Sequence, residues 1–256
     1  MPSTLPSRRS PDPSVPGSRA ASVESLLSNR VYDQLYGAML DSRLRPGDRL
    51  NRRQVAADLG VSVAPVLEAM TQLEWEGFLE TSPRSGTIVR RVTLADVLGK
   101  YRLRQAIEVE AARVAVGERI RAARKVLEPL ATKADAAADW TTANYRTEVA
   151  FHAGLVDAAG CLQLSRAFAG VMRHGLFHAA HRLLPCLPPR QPNIHARLLA
   201  GLCRADADAA ERLIRRHLEP NFAAIAAADV PHAAEPVAFR GPTVSLKRPR
   251  HRRHSR

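Results

Sequence analysis

Aromatic side chains are scarce, 5% of the 256 residues, which argues against an aromatic-rich β-sandwich. Cysteine is scarcer still. Cys161, Cys186 and Cys203 form an odd set of three with no CxxC spacing. That argues against a disulfide framework or a thiolate zinc site and fits a reducing cytoplasm. No run approaches about 18 apolar residues free of charge, so no membrane partner or membrane-spanning helix is expected. The opening Met1-Pro2-Ser3-Thr4-Leu5-Pro6-Ser7 lacks an apolar core, so a secretory signal is not expected either. Acidic residues are also few: 25 Asp and Glu against 38 Lys and Arg, a net charge of +13.

Apolar residues are nevertheless 45% of the chain, enough for a sizeable core, and alanine dominates the second half. Aliphatic helical packing is the expectation. The positive excess is uneven. Residues 1–22 carry +2, residues 23–93 balance nine acids with nine bases, residues 94–232 carry +5 and residues 233–256 carry +6. A polyanionic partner fits this balance without being located by it.

Residues 1–22 hold five prolines and six serines and no apolar period, so disorder is expected there. From about Ser22 to Ser42, Leu26, Leu27, Val31, Leu35, Met39 and Leu40 recur at helical spacing. Arg45-Pro46-Gly47-Asp48 reads as a turn. Asn51 can open a second helix that Gly60 closes, and Ser62 can cap a third that carries Val66, Ala69, Met70 and Leu73 inward. Phe78–Thr81 and Thr87–Val92 read as two strands joined through Gly86. Short helices followed by a hairpin are the order of a winged helix-turn-helix over residues 23–93. Beyond Thr93, which has capping-box spacing with Asp96, the period is helical only. Helices are expected over 94–116, 118–136, 139–158, 161–183, 193–204 and 207–227, an all-α bundle over 94–229. Residues 230–256 read as a disordered basic tail, six of whose last ten residues are Lys or Arg.

In its motifs the chain resembles the GntR superfamily of bacterial transcription regulators, in the subgroup with an FCD (FadR-type C-terminal) domain. The N-terminal resemblance rests on Leu44-Arg45-Pro46-Gly47-Asp48-Arg49-Leu50, Val55-Ala56-Ala57-Asp58-Leu59-Gly60-Val61-Ser62, Pro65-Val66 with Glu68-Ala69, and Gly86-Thr87 with Val89. The C-terminal resemblance rests on Arg104 with Glu108, Phe151-His152, and His195 followed 22 residues later by His217. The resemblance implies a homodimer that binds double-stranded operator DNA, represses more often than it activates, and senses a small carboxylate.

The family's metal site maps onto Glu148, His152, His195 and His217. Glu148 stands where the family usually has Asp. It lies four residues from His152, so the two share a helix face. Three imidazoles with one carboxylate suit a divalent zinc, nickel, manganese or iron. Arg104 is the candidate for gripping an effector carboxylate, against the plainer reading of an i,i+4 pair with Glu108. His174, His178 and His181 share another helix face and read as solvated or pocket-lining. Cys161 replaces a common Asn and reads as a buried, inert thiol.

The candidate DNA surface comprises Arg45, Arg52, Arg53, Ser62, Val63, Ala64, Leu67, Arg84 and Ser85. Val63 and Leu67 replace two arginines of the family's recognition helix, so base readout is expected to be weak and phosphate contact dominant. Two rival readings stand beside the regulator. One is a metal-dependent enzyme with a degenerate winged helix, which the lost arginines favour and the lack of a nucleophile–base spacing opposes. The other is a divergent regulator paralogue that holds DNA mainly through its basic tail.

Overall fold

The computed structural model describes residues 16–82, 86–228 and 246. The first helix, α1, spans Pro16–Leu40. It starts earlier than the sequence suggested, so residues 16–22, expected to be disordered, are helical. Pro16 suits that start, because the N–H it lacks would be unpaired in a first turn. The rest of the expected N-terminal tail lies outside the described residues, as does the expected tail from 230, Leu246 excepted.

Helix α2 (Arg52–Leu59) begins where the Asn51 side chain accepts the N–H groups of Arg53 and Gln54. It ends at Gly60, whose φ of 67° only glycine adopts freely. Helix α3 (Val63–Trp75) follows Ser62, which sits at the cap position but makes no side-chain capping bond, contrary to the expectation. Strands β2 (Leu79–Ser82) and β3 (Gly86–Val89) form the expected hairpin. A further strand, β1 (Arg49–Leu50), pairs antiparallel with β3, giving the order β1-β3-β2. The sequence pointed only to the turn before it. Two residues are too few for a visible alternation, and the pairing is made with a segment far along the chain. Leu35, Met39, Leu44, Val66, Met70, Leu73 and Phe78 fill the core between α1, α3 and the sheet.

The Thr93–Asp96 capping box is formed in full and starts α4 (Leu94–Ala115). There follow α5 (Glu118–Asp135), α6 (Thr142–Asp157) and α7 (Leu162–His178). A π-helical turn, Ala179–Leu183, and a short 3-10 turn, Leu184–Cys186, lead into the proline-rich break. Helix α8 (Ile194–Leu202) and helix α9 (Ala207–Ala227) complete the bundle, the latter capped by Asp206 as expected. Helix α4 runs through the middle and packs on α6, α7 and α9.

The winged helix and the bundle share one hydrophobic cluster. Tyr36 Oη donates to the carbonyl of Arg173 at 2.8 Å, Tyr32 Oη donates to Glu76 at 2.6 Å, and the Phe78 ring stacks on His174 at 4.4 Å. No helix among the described residues is long and apolar enough to cross a membrane.

Candidate metal centre, effector pocket and nucleic-acid face

Helix α6 carries Glu148 and His152 one turn apart on its inner face, and both are buried. Helix α8 brings His195 and α9 brings His217, and ligand atoms of the three histidines lie within 4.8 Å of one another. Two carboxylates outside this group aim the rings. His152 Nδ1 is 2.6 Å from Glu108 Oε2 on α4, and His195 Nδ1 is 2.7 Å from Asp135 Oδ1 at the end of α5. An ionised carboxylate accepts the Nδ1 proton, which turns the Nε2 edge of each ring inward, toward His217 for His152 and toward the Glu148 carboxylate for His195. His152 Nε2 and His217 Nε2 are 3.3 Å apart. For metal–nitrogen bonds of about 2.05 Å at a tetrahedral angle, two ligand nitrogens would be separated by about 3.3 Å. The donor set and its spacing therefore fit a divalent cation.

Glu148 splits its oxygens. Oε2 lies 3.0 Å from His195 Nε2 and 3.9 Å from His152 Nε2, while Oε1 accepts from Arg190 Nη2 at 2.6 Å. The electrostatics follow from burial opposed by neighbours. Burial raises Glu148, but the His195 hydrogen bond and nearby positive charges win and hold it down at about 2. Glu108 is likewise held at about 2, by His152 and Arg104 against its burial. His217 is pushed down to about 3 by burial and by the two neighbouring histidines. Burial disfavours charge on His195 also, yet Glu148 and Asp135 outweigh it and raise that ring.

Beside the cluster opens a cavity of about 110 Å³, bounded by Trp140, Glu148, Arg190, Arg216, His217 and Asn221. Arg190 is fixed there by the carbonyls of Ala134 and Ala137 and by stacking on Trp140, 4.2 Å from the ring centroid. Its Nη1 is buried without a hydrogen-bond partner among the described residues. Arg216 is exposed at the rim. Arg104 does not border this cavity. Its Nε donates to Glu108 at 2.6 Å with both side chains buried, so it sits behind the centre and steadies the carboxylate that aims His152. Of the two readings of Arg104, the i,i+4 pair with Glu108 is present, and the fold buries it.

On the winged helix, Arg45, Arg52 and Arg53 are exposed, as are Ser62, Val63, Ala64 and Leu67 at the start of α3. Val63 and Leu67 are 43% and 42% exposed and not packed inward. Arg84 and Ser85, expected at the wing tip, lie outside the described residues.

Comparison with known proteins agrees with this architecture. The family described as "Bacterial regulatory proteins, gntR family" matches residues 27–89, and the FCD domain family matches residues 100–220. The chain belongs to the GntR family, with an FCD domain. The HTH-type transcriptional repressor RspR of Escherichia coli is 25% identical over 75% of this chain and 86% of its own length. The regulator YdhC of Bacillus subtilis is 34% identical over 35% of this chain, and the chain spans 40% of that relative's length. Among solved structures, a GntR regulator from Rhodococcus sp. RHA1 has a TM-score of 0.56 at 24% identity, covering 78% of this chain and 98% of its own. Escherichia coli McbR/YncC has a TM-score of 0.55 at 20% identity, covering 78% and 97%. These two likenesses speak to the fold.

Several residues at the centre of this GntR-family regulator went unnoticed in its sequence. Asp135 ends a helix, where an acid opposes the helix dipole, and that conflict was a legible hint of a tertiary partner. Arg190 lies within Pro188-Pro189-Arg190-Gln191-Pro192, a cation on a stiff loop. Nothing in the sequence connects either residue to the histidines. Cys161, expected to be buried, is half-exposed at the first position before α7.

Proposed function

We propose that this chain is a ligand-responsive transcription regulator whose bundle holds a divalent metal and, against it, a small carboxylate. The metal ligands in this reading are His152, His195 and His217 with Glu148. The observation that carries it is the convergence of three imidazole Nε2 atoms, two of them aimed by buried carboxylates, next to a cavity with cationic walls. Bound there, zinc, nickel, manganese or iron would supply open coordination positions for a carboxylate oxygen. The chain's own residues supply the rest. Arg190 borders the cavity with one guanidinium nitrogen, Nη1, unpaired among the described residues, Arg216 adds charge at the rim, and the Trp140 ring lies against the Arg190 guanidinium.

In this reading the winged helix binds double-stranded operator DNA as part of a homodimer in the cytoplasm, with repression the default. Arg52 and Arg53 at the N-terminus of α2 suit phosphates, and α3 enters the major groove with Val63 and Leu67 offering apolar contact.

Elemental analysis of protein purified without chelator or histidine tag tests the centre. About one divalent metal per chain is expected, and its loss in His152→Ala with His217→Ala. A metal-free wild type would sink the reading. A thermal-shift series with mono- and dicarboxylates tests the pocket. At a hundredfold excess over Kd, a native-state ligand adds about 2.7 kcal/mol. Arg190→Gln should abolish that gain while Arg216→Gln should reduce it.

A further inference from the structure

A second cavity, of about 70 Å³, lies between the base of the wing and the bundle. Arg90 reaches it from the end of β3, Lys100 from α4, and His174 and His178 from α7, while Arg91 borders it with its guanidinium turned against Gly47. Two carboxylates, Glu76 and Asp96, also border it, and both are already engaged. Asp96 Oδ1 accepts from Arg90, and its Oδ2 accepts the Thr93 N–H and hydroxyl. Glu76 accepts from Tyr32 and from Gln72, and pairs with Arg173 at 3.5 Å. Arg91 and Lys100 make no ion pair among the described residues. The His178 ring is 4% exposed and makes no hydrogen bond among the described residues. Gly77, at a φ of 82°, keeps the wall open: a Cβ there would stand 3.4 Å from Arg90 Nη1 and 3.8 Å from His174 Cε1.

We propose that this cavity is a binding site for a small oxyanion, a phosphate or a carboxylate, separate from the pocket beside the histidine cluster. Its cations come from both domains, so an anion held between Arg90 and Lys100 would tie the wing to the bundle. Such an ion would take hydrogen bonds from a guanidinium and an ammonium in a partly buried setting, where charge-assisted bonds are strong. It would also give the His178 ring an acceptor. The field of the cavity is consistent with this. His178 is driven down to about 3 by burial, then by His174, with Lys100 and Arg90 adding to the effect against the opposing pull of Asp96. His174 is driven down to about 4 by burial and Lys100, with Glu76 opposing.

The test is titration of the full-length protein with inorganic phosphate and, separately, with succinate, at constant ionic strength, followed by calorimetry and by the His178 ring resonances. Saturable binding of at least one anion is expected, with the His178 resonances shifting and the ring's apparent pKa rising. Which anion binds more tightly identifies the source of the oxyanion. Lys100→Gln and Arg90→Gln should each weaken that binding about tenfold or more, the usual loss for one charged hydrogen bond. Lys100 makes no ion pair among the described residues, and Arg90 is half-exposed beside Asp96, whose Oδ2 keeps the Thr93 capping bonds, so both variants should keep the wild-type circular dichroism. Failure of both anions to bind would overturn the proposal. So would affinity unchanged in both variants, or affinity that follows Arg190→Gln instead.

Discussion

Arg104 and Glu108 form a pair whose worth depends on its burial. At the surface an i,i+4 pair is worth about 0.3–0.5 kcal/mol. Here both side chains are sealed in the bundle and Glu108 also holds His152. Removing the guanidinium leaves a buried carboxylate short of a partner, so Arg104→Ala should lower stability by about 3–5 kcal/mol in urea unfolding. A loss below about 1 kcal/mol would show the pair to be solvated. The sequence displayed the spacing of this pair but not its depth, since depth is set by helices that arrive much later in the chain. Acid sensitivity also belongs to single residues. His174 and His178 are depressed to about 4 and 3 in the folded chain, against about 6.5 when unfolded. The unfolded state then binds more protons, so stability is complete above pH 6.5 and falls as pH drops toward 4. The slope is at most about 1.4 kcal/mol per pH unit for each histidine. Around these rings stand Lys100, Arg90, Asp96 and Glu76. Thermal midpoints of wild type and His174→Gln with His178→Gln, compared between pH 7.5 and 5, should converge on acidification.

At the scale of elements, α8 shows how the centre was assembled from separate helices. Its own cap residue, Asn193, makes no side-chain capping bond. Asp135 does that work from α5, accepting the N–H groups of His195 at 3.2 Å and Ala196 at 3.0 Å while binding the His195 ring. One carboxylate thus starts the helix and aims its ligand. Asp135→Ala should cost about 1–2 kcal/mol of stability and weaken metal binding about 10- to 100-fold, measured by competition with a chelating dye. A stability loss with unchanged metal affinity would confine Asp135 to capping. Long periodic helices, the Thr93 capping box and the Glu148–His152 face were legible because each is written in local spacing. Strand β1 and the contributions of Asp135 and Arg190 were not, because each depends on a partner distant in sequence. Helix α3 yields a prediction of its own. Val63→Arg with Leu67→Arg should raise discrimination between an operator and random duplex by about tenfold or more, each good guanine contact being worth about 1–3 kcal/mol. Fluorescence anisotropy on both duplexes reads this directly, and unchanged discrimination would place base readout elsewhere on the helix.

The whole molecule carries +6 of its net +13 in residues 233–256. The last ten residues hold six Lys or Arg with no acid, whereas residues 23–93 are electrically balanced. If the tail contributes phosphate contacts, affinity for DNA should fall steeply with salt, about 0.9 log units per log unit of salt for each phosphate neutralised. Removing residues 247–256 should flatten that slope, and an identical slope would exclude the tail from the complex. Light scattering at micromolar concentration should return a dimer, since a winged helix reads one half-site and a two-fold axis supplies the second.

The shared core of the winged helix and bundle sets the geometry of any response. Tyr36 and Phe78 are pinned to α7, and Tyr32 holds Glu76, which pairs with Arg173 of α7, so the winged helix and the bundle are packed as one body. Such a body acts as a lever. Helix α1 alone has 25 residues. At about 1.5 Å per residue that is an arm of about 37 Å. A tilt of about 5° between two such arms carries the far end about 3 Å, close to the rise of one base pair along a half-site repeat of about 34 Å. In the dimer proposed above, a change of that size is expected to put two recognition helices one step out of phase with the operator.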